Sequence, residues 1–230
     1  MLRGPENGVP LLVIPALFEE MNRTRRLLAL TFAALAAAGV RSWMPDLPGM
    51  GDHEDRADAM DLPRWRAALA ALAAFMAAGQ PLHLLSVRSG ALLADAVRGA
   101  ASLYCLAPQP TGAKALRDLW RARAAAGRES GITESVSAIE ARSVAGETIE
   151  AAGYPIHPRF AAQLRLAALP APDIPTRTAA TAPGPGVDVV LAGPPLWRQA
   201  EPGDAARLAA ALAADLSAWI ADTTVSLPRP

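Results

Sequence analysis

Leu84-Leu-Ser-Val-Arg-Ser-Gly-Ala-Leu-Leu93 is the stretch on which the fold turns. Its first part belongs to an apolar run, Leu82–Val87, that suits a buried strand. Its second part restarts as a helix, Ser89–Gly99. The chain must therefore pass from strand to helix across Arg88–Gly90. So sharp a turn presses strand against helix and needs small residues on either side of its tip. Ser86 and Gly90 meet that need, which puts Arg88 at the tip.

Upstream, the alternation repeats. Val9–Phe18 is a buried strand candidate, Asn22–Ala38 a helix ended by Gly39, and Val40–Pro45 a second strand leading into the loop Asp46–His53. Asp61 caps a helix with Pro63 in its first turn, running to Ala78 and Gly79. Downstream of the turn, Ser102–Leu106 is a short fourth strand. The order β-α-β-α-β-α-β predicts an α/β fold: a mostly parallel sheet with helices on both faces. Ligands then bind beyond the carboxyl ends of the strands, at the loops 18–22, 46–53, 86–90 and 107–111.

The remainder reads differently. Residues 111–168 form a polar helical stretch interrupted by Gly127, Gly131, Gly146 and Gly153, expected as a cap insertion over the sheet. Residues 170–186, rich in Pro, Thr and Ala, read as a surface connector. Val187–Ala192 is expected as a last strand and Asp204–Ile220 as a last, amphipathic helix. Residues 1–230 are expected to form one domain.

Composition narrows the function. Hydrophobic residues make up 52% of the 230, enough for a large core. Lys plus Arg equals Asp plus Glu at 22 each, without the basic excess of a nucleic-acid binder. One cysteine, Cys105, rules out an intramolecular disulfide and fits a reducing, cytoplasmic setting. No signal peptide is legible, and the uncharged stretch Leu27–Val40 is too short for a membrane span. An apolar helix such as 22–38 could serve as core or as the surface of a homodimer.

Candidate chemistry gathers around the turn. A guanidinium at its tip stays protonated and cannot attack a carbonyl, but it can clamp a carboxylate or phosphate. It could equally serve only as partner to a carboxylate such as Asp46. Ser86 and Ser89 remain as displaced nucleophiles, and His53 is the one histidine at a strand mouth. His83 lies within a strand and His157 among prolines. Phe18, Glu19, Glu20, Asn22 and Arg25 occupy the loop where an oxyanion-binding N–H would lie. Arg23, Arg25 and Arg26 oppose the helix dipole there, which suggests anion binding or pairing with Glu19 and Glu20. Lys114, Arg117, Arg121 and Arg128 share a helix face that could meet an anionic ligand, a membrane surface or solvent. Asp46, Asp52, His53, Glu54 and Asp55 lack metal-ligand spacing, so no metal or other cofactor is expected.

Three segments carry a family resemblance. Pro15-Ala-Leu-Phe-Glu-Glu-Met-Asn-Arg-Thr-Arg-Arg26 is similar to a P-F-x-E-E-M-N-K-S-R-R signature. The turn resembles the G-x-S-x-G nucleophile elbow of α/β hydrolases with arginine in the nucleophile slot. Gly146-Glu-Thr-Ile-Glu-Ala-Ala-Gly-Tyr-Pro-Ile-His-Pro158 and Gly193-Pro-Pro-Leu-Trp197 complete the set. Together they resemble the exosortase A system-associated hydrolases, type 2, of bacteria that sort PEP-CTERM proteins and make exopolysaccharide. The resemblance implies an α/β-hydrolase fold and that gene setting, without a proven reaction. Two departures stand out: 193–197 offers no histidine base, and the short stretch before Val187 leaves a strand-plus-helix pair missing or degenerate. Three functions follow. The chain binds an anionic or acyl-type small molecule near Arg88, or hydrolyses an ester or thioester at an unorthodox site, or serves as a non-catalytic interaction module.

Overall fold

The computed structural model describes residues 1–171, 173–199 and 203–225. Seven strands form one sheet: β1 (Leu2–Arg3), β2 (Val9–Ile14), β3 (Val40–Trp43), β4 (His83–Val87), β5 (Ser102–Leu106), β8 (Thr176–Ala180) and β9 (Val189–Val190). Their spatial order is β1-β3-β2-β4-β5-β8-β9, every pair parallel except β1 with β3. The order reverses at β2, which lies between β3 and β4. A doubly wound sheet opens a crevice at such a reversal.

Both faces of the sheet are covered, which explains the unbroken apolar runs of β2, β4 and β5. Successive side chains alternate faces. Leu12, Ile14, Leu84, Leu103 and Cys105 join one cluster, packed by α2 (Leu62–Ala77) and by Trp65, Trp120 and Phe160. Leu11, Val13, Leu85, Val87 and Tyr104 join the other, packed by α1 (Glu19–Ala37) and α6 (Ala206–Val225). Helix α1 begins three residues earlier than its sequence signal, because Glu19 and Glu20 sit favourably in its positive first turn. Among the described residues, α6 alone is long and apolar enough to cross a bilayer; here Leu208, Leu212, Leu216 and Ile220 bury one face against the sheet.

After the turn the chain winds as a 3-10 helix, Arg88–Ala96, rather than the expected α-helix to Gly99. Residues 111–168 comprise α3 (Gly112–Glu129), α4 (Val136–Val144), a hairpin of β6 (Ile149–Ala151) and β7 (Tyr154–Ile156), and α5 (Pro158–Leu166). The two ends of this segment meet: Thr111 bridges Ala168, and Gly112 N–H donates to Ala167 O at 2.8 Å. It leaves and rejoins the sheet at one point.

The expected connector, 170–186, needs correction, apart from Pro172, which lies outside the described residues. Strand β8 runs through it. Its sequence, Thr-Arg-Thr-Ala-Ala, lacks an apolar run because a charged tether holds it instead. Arg177 donates to Asp215 of α6 at 2.9 and 2.7 Å, and Tyr104 O–H donates to the same carboxylate at 2.7 Å. The strand suspected to be missing is present; what is absent between β8 and β9 is a helix, since 181–188 is turn and loop. The expected last strand, 187–192, shortens to Val189–Val190.

Candidate functional site

At the carboxyl end of β4 the chain turns through Arg88 with φ +54°, the left-handed region that non-glycine residues seldom enter. The turn lies hard against β2: a Cβ on Gly90 would come within 2.2 Å of Pro15 O and 2.7 Å of Ile14 O. Phe18 after β2 (φ +59°) and Ala107 after β5 (φ +45°) are wound the same way. Three neighbouring strands thus end in strained residues around one crevice, a pattern found where a fold holds a site open.

Arg88 is held on three sides. Its Nε and Nη2 donate to the Glu20 carboxylate, at 3.0 Å for the shortest contact, and Nη1 donates to Ala107 O at 2.8 Å. Its guanidinium lies over the Trp197 ring, 5.2 Å from the centroid. Burial pushes the Glu20 carboxyl above the ordinary carboxylate range, and the charge of Arg88 pulls it partly back. The acid signature after β2 and the arginine at the tip are therefore two halves of one ion pair. Glu19 pairs with Arg23 in the same way, and Arg23 also reaches Trp197 O at 3.2 Å. Of the cations at the start of α1, Arg23 is thus offset by Glu19, whereas Arg25 pairs with Asp46 and Asp52 and Glu20 is taken by Arg88.

A cavity of about 500 Å³ opens in front of this pair. Phe18, Glu19, Glu20, Arg88, Ser89 and Arg121 line it. Its walls also carry Leu17, Leu119 and Trp197, and the polar groups Gln109 and Asp118. Arg23, Arg88, Lys114, Arg121 and Arg198 face three carboxylates, Glu19, Glu20 and Asp118. The site is net cationic.

Other candidates lie elsewhere. Ser86 is fully buried in β4 and donates to Cys105 Sγ at 3.3 Å, out of reach of the cavity. Burial raises the Cys105 thiol, and that bond lowers it in part. His53 turns back on its own loop, where Nδ1 accepts from Asp55 N–H at 3.1 Å. Asn22 points to solvent. Arg25 reaches Asp46 at 3.3 Å and Asp52 at 3.4 Å, so it braces the loop after β3. Asp46 is therefore Arg25's partner and not Arg88's. Among the described residues no histidine lines the cavity. His83 is buried between Ser102 Oγ and Thr224 Oγ1, at 2.8 and 3.1 Å, and desolvation lowers its pKa to about 4. His157 contacts Thr148 Oγ1 at 3.0 Å.

Ser89 does face the cavity, but its Oγ accepts from Leu17 N–H at 3.0 Å. That N–H belongs to the loop where an acyl-transfer site would keep an oxyanion donor free.

No family model and no curated protein sequence matches the chain. Solved structures do. An esterase from Thermogutta terrifontis, with malate bound, aligns at TM-score 0.60 and 16% identity over 97% of this chain and 93% of its own. Mouse alpha/beta hydrolase domain-containing protein 10 aligns at 0.61 and 16% over 96% and 92%. Est1E from Butyrivibrio proteoclasticus, with ferulic acid bound, aligns at 0.52 and 16% over 78% and 72%. The fold is that of the α/β hydrolases.

The sharp strand-to-helix turn at Arg88 has the form of that fold's nucleophile elbow. Gln109 and Asp118 joined the site without being singled out in the sequence, and the sequence marked Trp197 only as the end of the segment 193–197. Gln109 had one available signal, its place in the loop after β5, at the carboxyl edge of the sheet.

Proposed function

We propose that this chain is an α/β-hydrolase-fold protein that binds an anionic small molecule in front of Arg88 without hydrolysing it. One observation carries the reading: the elbow presents a guanidinium committed to Glu20, facing a net cationic cavity. A serine route needs a hydroxyl with a base in reach. Ser89 has the hydroxyl, which accepts from Leu17 N–H, but no histidine of the described residues lines the cavity to act as its base. Anion binding needs neither. Arg88 keeps an N–H on each Nη beyond its observed bonds, and Lys114 and Arg121 are half exposed at the rim. The cavity volume lies within the range that holds drug-sized ligands, roughly 300–1,000 Å³.

The signature after β2 supports placing the protein among the exosortase-associated hydrolases and their exopolysaccharide setting. There the 111–168 segment acts as a cap over the cavity, since Lys114, Asp118 and Arg121 of α3 form part of its wall. A hydrolase acting through Ser89 is the second reading, favoured by that serine's place on the wall.

Thermal shift and calorimetric titration with fatty acids, acyl-CoA and sugar nucleotides test the proposal. At least one of these anions stabilises the protein, the effect fading with added salt. Lys114→Gln/Arg121→Gln, at exposed positions, weakens it about tenfold, since each rim contact contributes up to about 1 kcal/mol. No shift with any of the three classes overturns the proposal.

A further inference from the structure

Gln109 follows β5 and is 1% exposed, yet its Oε1 has no hydrogen-bond partner. Its orientation is fixed. Nε2 donates to Asp118 Oδ2 at 3.2 Å, and the backbone N–H donates to Arg88 O at 3.2 Å beside the elbow. Turning the amide over would set its oxygen against the Asp118 carboxylate, which Arg121 and Lys114 already hold at 3.0 and 3.5 Å. The carbonyl oxygen therefore stays the acceptor on this wall. Buried acceptors are rarely left without a donor, because desolvation is then uncompensated. Neither Arg88 nor the other cations of the wall supplies one.

We propose that the ligand of this cavity is an organic anion that also carries a hydroxyl or amide N–H, which Gln109 Oε1 accepts. The inference rests on the anion-binding reading above and adds a second point of recognition. The acid group lies with the rim cations, the apolar body runs along Leu17, Leu119 and Trp197, and the donor meets Gln109. A plain fatty acid meets the first two demands and fails the third.

Calorimetric titration of the intact chain with two matched pairs tests this: 3-hydroxydecanoate against decanoate, and 3-(4-hydroxyphenyl)propanoate against 3-phenylpropanoate. In at least one pair the hydroxylated acid binds about tenfold tighter, the size of one net hydrogen bond. Gln109→Met, close in volume, brings the two members of that pair to equal affinity for the variant. The wild-type comparison stands even if the variant fails to fold. If both members of each pair bind equally, water satisfies the orphan oxygen: the inference falls and anion binding stands. If none of the four binds at millimolar concentration while acyl-CoA or a sugar nucleotide does, this inference falls and anion binding stands; if those fail as well, both fall.

Discussion

Replacing Glu20 by Gln keeps the shape of the side chain and removes the charge that holds Arg88. Arg88 cannot answer by losing a proton, because guanidinium stays charged at any ordinary pH. Breaking a buried pair by removing one partner costs about 3–5 kcal/mol. Here the carboxylate keeps about a fifth of its surface exposed, and Ala107 O and the Trp197 ring still hold the guanidinium. The cost therefore falls to about 2–3 kcal/mol by the same reasoning. At roughly 2–4 °C per kcal/mol for a chain of this size, Tm drops by about 5–10 °C. Calorimetric melts at low and high salt read it, and the loss persists in salt because buried pairs are weakly screened. Glu20→Gln/Arg88→Met, which removes both charges, recovers more than half of the drop. A Tm within about 1 °C of wild type for the single variant would refute the claim that Glu20 is what holds Arg88 at the tip.

Other substitutions probe the frame around this pair. Gly90→Ala places a Cβ 2.2 Å from Pro15 O. Two backbones must then separate, so the variant loses at least about 3 kcal/mol or fails to accumulate as folded protein, read by denaturant melts; a wild-type midpoint would contradict the packing of the turn. His83 gives a pH signature. Its folded pKa, about 4, lies below the ordinary 6.5, so the unfolded chain binds the extra proton between those values. Stability then falls as pH drops from 6.5 to 4 and levels off below, by at most about 3 kcal/mol. His83→Gln flattens that part of the Tm–pH curve, and an unchanged slope would contradict the buried neutral imidazole.

The framework was legible where one physical signal dominated. Strands β2, β4 and β5 are buried on both faces and read as apolar runs, and Gly90 marked the turn because only a residue without a side chain fits there. Strand β8 was not legible. Its place is set by Arg177 reaching Asp215 on a helix nearly forty residues later, and neither residue is apolar. The same limit applied to the site. Arg88 invited a carboxylate partner, for which the sequence suggested Asp46; three-dimensional proximity supplies Glu20 instead. Gln109 is an ordinary residue in sequence; it becomes notable only through an oxygen with nothing to accept from.

The most direct test of the central claim is intact-mass spectrometry after incubation with a fluorophosphonate, which modifies activated serines. The arrangement around Arg88 predicts an unmodified mass, because Ser89 Oγ is bonded to Leu17 N–H and no histidine of the described residues lines its cavity. A stoichiometric mass increase that disappears in Ser89→Ala would contradict it and make the chain a hydrolase.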